Sequence, residues 1–135
     1  MVLRFFFFSL VLFFLSWLSP FAEQNKGIGP VKNVDIPETI DKKMAKEGEE
    51  LFTIKCSSCH KFDEKFAGPP LQGVTKRRSA EWILNQIVNP AEMATKDPIA
   101  KKLVGEYYLI MPNQNIGVKE ARKIYEYFRL VDSTK

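Results

Sequence analysis

Apolar residues recur at helical spacing along much of the chain, and no stretch alternates with the period of two that a half-buried strand requires. Thr39 to Ile54 places Ile40, Met44, Gly48, Leu51 and Phe52 on one face, with Thr39 as the expected N-cap. Gly48 inside that helix costs about 1 kcal/mol against alanine, so it points to a close approach by another helix. Ser79 to Asn89 predicts a second helix, capped by Ser79 and ended by Pro90, with Trp82, Ile83, Leu84, Ile87 and Val88 inward. Residues 91–108 read as helical pieces broken by Pro98. Lys119 to Val131 predicts a last helix, with Ala121, Ile124, Tyr125, Phe128 and Val131 on its buried face. No Asn-Gly or Asp-Gly hairpin turn occurs. The expected fold class is all-α, with three to five helices over residues 39–135.

Two stretches break this pattern. Phe5 to Leu18 is apolar except for Ser9 and Ser16, with Arg4 before it and Ser19-Pro20-Phe21-Ala22 after it. This is the layout of a secretory signal peptide, and it is short for a membrane span, which needs roughly 20 apolar residues. Pro20 stands where a cleavage site wants a small residue, so residues 1–22 are read as a signal peptide or an N-terminal membrane anchor, the tether then running through residues 5–18. Either reading exports the rest, to a periplasmic location. Residues 23–38 carry Gly27, Gly29, Pro30 and Pro37 without apolar periodicity and read as a linker. As a flexible tether it would span roughly 20–24 Å root-mean-square.

Composition then narrows the chemistry. The chain has 135 residues, 45% hydrophobic and 27% charged, which suits one globular domain and not wholesale disorder. Of its aromatic residues, eight crowd into the first 22 positions. There are two cysteines and one histidine. One histidine excludes bis-histidine metal ligation and any mechanism in which one imidazole holds a metal while another moves protons. All three residues fall in Cys56-Ser57-Ser58-Cys59-His60. A disulfide here would close a tiny loop and constrain little unfolded-state entropy. Zinc would lack a fourth Cys or His ligand. A thioredoxin-like pair would need a βαβ context, and this context is helical. Covalent attachment of a c-type haem accounts for all three: two thiols for two vinyl groups, and the next residue as an imidazole ligand to iron. Dithiol exchange is the competing reading.

The pentapeptide, together with Glu47-Gly48-x-x-Leu51-Phe52, Gly68-Pro69-Pro70-Leu71, the late Met111-Pro112 and the terminal amphipathic helix, resembles the small monohaem class I cytochromes c over roughly residues 39–132. The resemblance implies three to five helices wrapped around one covalent haem, with Gly48 where the first helix crosses the last. It also implies that the Pro69 carbonyl accepts the second imidazole N–H of His60 and that Leu71 packs on the haem face. Trp82 is either a propionate partner or a core residue, and Tyr107 or Tyr108 lines the pocket.

The iron's second axial ligand is constrained by the lone histidine: it is Met, Lys, Tyr, water or nothing. Beyond the first 22 residues the methionines are Met44, on the first helix, Met93, near a helix start, and Met111, beside Pro112 in an irregular stretch. A thioether reaching across the haem suits such a loop, and the resemblance places the ligand there as well, so Met111 is expected. Two filled axial positions make a one-electron carrier and leave no open catalytic site; the alternative is a haem subunit, or a catalytic or sensor domain, whose sixth ligand dissociates. Residues 55–78 hold six basic side chains (Lys55, Lys61, Lys65, Lys76, Arg77, Arg78) against two acidic ones, a local +4, whereas residues 23–54 sum to −2. That excess would steer the haem edge toward redox proteins with acidic docking surfaces. No nucleic acid or small-molecule substrate is expected.

Overall fold

The computed structural model describes residues 25–134. The signal or anchor segment read over 1–22 lies outside the described residues. Within them the chain forms six helices and no strand: α1 (Lys42–Lys55), α2 (Val74–Arg77), α3 (Ala80–Val88), α4 (Pro90–Lys96), α5 (Pro98–Tyr107) and α6 (Val118–Ser133). The count exceeds the expected range by the single turn α2.

Each start has a chemical reason. The Asp41 carboxylate accepts from Met44 N at 2.9 Å, so α1 begins two residues beyond the Thr39 cap that the pattern suggested. Ser79 Oγ caps α3 through Trp82 N at 3.1 Å. Pro90 ends α3 and opens α4, where its missing N–H costs nothing. Asp97 accepts from Ile99 N and Ala100 N, opening α5 with Pro98 in its first turn. At α6 the Glu120 carboxylate reaches back to Gly117 N, 3.0 Å away.

α1 lies across α6. Ala45 and Ala121 are fully buried, and a Cβ on Gly48 would run into the Lys123 carbonyl. That backbone-to-backbone closeness is what a glycine there permits. Beside the crossing, Phe52, Phe62, Tyr127 and Phe128 form an aromatic cluster with ring centroids 5.2–6.4 Å apart. The buried face of α3 (Trp82, Ile83, Leu84, Ile87) completes the core with Ile124 and Phe128.

The segment read as a linker is, from residue 25 onward, a strap packed on the domain. Val31 is buried in the core. Asn85 on α3 holds the strap with both ends of its amide: Nδ2 donates to Lys26 O and Val31 O, and Oδ1 accepts from Val31 N. Asn25 Nδ2 donates to Asp97 Oδ2 at 2.7 Å, and Arg129 Nη2 donates to the Pro37 and Glu38 carbonyls at 2.8 Å each. A stretch without apolar periodicity is therefore fixed through its backbone polar groups.

Three fully paired carboxylates brace this frame. Glu126 is completely buried between Arg122 and Arg129 and also accepts from Asp41 N, tying α6 to the start of α1. Asp132 accepts from Gly73 N, Thr75 N and Thr75 Oγ1, which seats α2 against the end of α6. Asp97 joins the strap, α3 and α5. Replacing both Arg122 and Arg129 would leave the Glu126 carboxylate buried without a cation, at a cost of roughly 3–5 kcal/mol.

Candidate haem site

The turn after α1 carries Cys56 to His60. Cys56 N and Ser57 N donate to Phe52 O, and Cys59 N and His60 N donate to Cys56 O, so the helix tightens into successive turns that face Cys56, Cys59 and His60 into one cavity. That cavity has a volume of about 410 Å³. Its walls come from α1 (Phe52), the 67–71 loop, α2 (Val74, Arg77), α3 (Trp82, Ile83, Gln86, Ile87), α5 (Leu103, Val104, Tyr107), the 109–112 loop and α6 (Ile124, Phe128). The lining is mostly apolar, as a large planar cofactor requires.

His60 Nδ1 lies 3.1 Å from the Pro69 carbonyl. A carbonyl only accepts, so the imidazole proton sits on Nδ1. Burial lowers the His60 pKa, opposed by the Pro69 carbonyl, and the ring is held neutral with the Nε2 lone pair available to a metal. Gly68 lies against this ring: a Cβ there would come within 2.5 Å of His60 Cε1. The Cys56 thiol is pushed up to about 11, by burial first and then by the neighbouring Cys59. No disulfide joins the two cysteines.

Met111 lines the same cavity as His60, from the loop before α6. The other two candidates do not. Met93 is fully buried under the strap, its Sδ 3.0 Å from Ile28 N, and Met44 sits in the first turn of α1. Leu71 and Trp82 also line the cavity, but the Trp82 N–H is committed: it donates to Asp97 Oδ1 at 3.1 Å. The propionate bond considered for Trp82 is thus replaced by a buried carboxylate, and the ring serves as wall. Of the two tyrosines, Tyr107 lines the cavity, while Tyr108 turns outward at φ 53° and is 91% exposed.

Several contributors went unread in the sequence. Arg77 and Arg78 line the cavity, Arg77 bracing the loop through Pro70 O and Gln72 O and Arg78 lying 5.5 Å from the Trp82 ring. In the sequence they stand only as part of a basic run. Asp97 carried a signal, since Asp before Pro at a helix start is a capping pattern. Gln86, in the middle of α3, carried none.

A family model for cytochrome c matches residues 45–131. The chain belongs to the cytochrome c family. Cytochromes c are haem-based electron carriers with a covalent c-type haem, and the cavity bearing this chain's two cysteines fits that group. No curated protein sequence matches the chain. Solved cytochromes c do. The cytochrome c from Rhodothermus marinus is 43% identical with a TM-score of 0.78, over 79% of this chain and 92% of that one. An engineered form of the R. marinus cytochrome c, bound to a carbene intermediate, is 44% identical with a TM-score of 0.73, over 78% and 91%. The cytochrome c domain of a Pseudomonas putida protein is 35% identical with a TM-score of 0.58, over 64% and 88%. Among the described residues of this cytochrome c, no helix is long and apolar enough to cross a membrane.

Proposed function

We propose that the chain is a one-electron carrier whose haem is held by thioethers from Cys56 and Cys59, with His60 and Met111 as axial ligands. The observation that carries this reading is one cavity lined by both cysteines, by an imidazole with its Nδ1 proton fixed on Pro69, and by the thioether of Met111. When bound, the haem supplies a ferric/ferrous couple. The chain does the rest. Pro69 and Gly68 fix the His60 ring, Leu71 and Ile83 exclude water, and the thioether favours the ferrous state and raises the reduction potential.

Its partners are redox proteins with acidic docking surfaces. The supporting feature is the basic excess of residues 55–78, in which Lys61 lies over the Phe66 ring and Lys65 over Tyr107, one of the cavity residues. The location is periplasmic, with residues 1–22 cleaved or kept as an anchor. The strap changes what an anchor would do. Only residues 19–24 separate Leu18 from Asn25, and six residues reach at most about 20 Å. A retained anchor would hold the domain near the membrane with its Asn25 end toward the lipid.

The second reading, a dissociable sixth ligand, draws on the engineered R. marinus relative that holds a carbene intermediate. One experiment separates them: the mass of the mature protein, a reduced-minus-oxidised spectrum and exposure of the reduced protein to carbon monoxide. One covalent haem, a far-red thioether–iron band in the ferric state and no carbon monoxide adduct are expected. Ready carbon monoxide binding with no far-red band would establish the second reading instead. A mass without haem would remove both.

A further inference from the structure

Three of the six large apolar side chains that stand exposed among the described residues are consecutive: Tyr108, Leu109 and Ile110, at 91%, 48% and 51%. They follow α5 directly. Tyr108 holds a left-handed backbone at φ 53°, which glycine or asparagine adopts more cheaply. At its exposure the ring adds almost nothing to the core, so its use lies outside the domain. Lys101 and Lys102 are exposed on α5 itself, whose other side (Ala100, Leu103, Val104, Tyr107) lines the haem cavity. Neither makes an ion pair among the described residues, whereas Lys96 pairs with Glu92 and Lys65 with Glu106. The chain also enters the domain here: Asn25 Nδ2 donates to Asp97, the cap of α5. Residues 19–24 are all that separates this point from the apolar run ending at Leu18, at most about 20 Å of chain. α5, at ten residues, is about 15 Å long.

We propose that the outward side of α5 and the segment Tyr108 to Ile110 form a membrane-facing surface that lies on an anionic bilayer. Lys101 and Lys102 meet the lipid phosphates, and Tyr108, Leu109 and Ile110 enter the headgroup region. This rests on the reading of residues 1–22 as an export signal or anchor. Lysines beside an exposed tyrosine and aliphatic side chains make the composition of an interfacial element, in which charge attracts the surface and apolar area holds it. The same groups taken alone would also suit a protein. The tether favours lipid, because it brings the start of α5 to the bilayer and leaves the rest of the helix within reach. α5 then stands between the haem cavity and the lipid.

The test uses the haem-loaded chain as purified, its mass recorded, with vesicles of phosphatidylcholine alone or mixed with phosphatidylglycerol. Lysines are labelled by a water-soluble acetylating reagent. On the mixed vesicles Lys101 and Lys102 should be protected while Lys42, Lys43 and Lys46, exposed on α1, stay reactive. On phosphatidylcholine alone all five should react. Amide exchange at Leu109 and Ile110 should slow on the mixed vesicles only. In Lys101→Ala/Lys102→Ala the binding equilibrium behind that slowing should fall about thirtyfold, the effect of two lysines at an anionic surface. Tyr108→Asn suits the left-handed backbone, so it should weaken the slowing without lowering the melting temperature. Protection of Lys101 and Lys102 in a chain whose mass lacks residues 1–22 would show this surface holding lipid without the anchor. Reactive Lys101 and Lys102 in a chain that keeps residues 1–22 would leave the anchor reading standing and overturn the proposal. The same result in a chain without them would remove both. Protection that needs no phosphatidylglycerol, or that extends equally to the α1 lysines, would also overturn it. So would protection that appears only when a redox protein is added, which would give the surface to a protein partner.

Discussion

Replacing Met111 by alanine is expected to abolish the far-red band of the ferric protein and to open the iron to carbon monoxide in the reduced one. The reduction potential should fall on the order of 0.1–0.2 V, a fraction of the about 0.8 V that haem axial ligands command. The expectation comes from the placement of the three methionines in the haem domain. Only Met111 faces the cavity into which His60 projects. Met93 is sealed beneath the strap: a Cβ on Gly27 would lie 2.9 Å from its sulfur, and Ile28 N contacts that sulfur from the same side. Met93→Ala is the control that makes the result discriminating. It deletes a fully buried side chain and should cost about 2–5 kcal/mol of stability, yet leave the band and the potential in place. A spectrum lost in Met93→Ala and kept in Met111→Ala would reverse the assignment. Retention of the band in both would hand the sixth position to the remaining thioether, Met44, whereas a band missing already from the unmodified protein would hand it to a non-thioether group, with Tyr107 among the cavity residues that could supply oxygen.

What the sequence disclosed and what it withheld follow one physical division. Elements stabilised by burying a periodic apolar face were legible: α3, the helical pieces on either side of Pro98 and α6 lie where apolar spacing and capping residues placed them. The Gly48 crossing was legible too, because glycine inside a helix is costly enough to require a reason. The strap was not. Its partners are Asn85, Asp97 and Arg129, each distant in sequence; Asn85 and Arg129 bind its backbone carbonyls and amides, which leave no mark on its side-chain pattern, and Asp97 takes the side-chain amide of Asn25. Even its glycines look like linker residues, although a Cβ on Gly29 would collide with Asn85. The one-turn α2 was hidden for the same reason, since it is held by Asp132 from nearly sixty residues away. At the site, covalent chemistry was readable because Cys56, Cys59 and His60 sit in one pentapeptide. The role of Trp82 stayed open between propionate partner and core residue because the partner of its ring N–H, Asp97, is decided by how α3 meets the start of α5.

Haem removal is the perturbation with the largest expected effect on the fold. In the double variant Cys56→Ala/Cys59→Ala, purified without haem, the cooperative thermal transition should disappear, with helical circular dichroism reduced and a hydrophobic dye bound at room temperature. The magnitude decides this. The haem cavity has a volume of about 410 Å³ and mostly apolar walls, so without haem an apolar surface sized for a large cofactor is left facing water. Small domains have only about 5–15 kcal/mol of stability in total. Collapse of the walls can recover part of the loss, but Val74 and Leu103 sit on elements pinned by Asp132 and Asp97, which limits how far these walls can move inward. The α1–α6 crossing is a different case. Gly48, Ala45, Ala121 and the aromatic cluster around Phe52 make contacts of their own, so residual helicity should concentrate there. Hydrogen exchange would therefore show protection surviving in α1 and α6 and lost from α3 to α5. A sharp, two-state melt of the haem-free variant with helicity equal to the haem-loaded protein would contradict this, because it would mean that the cavity closes without cost.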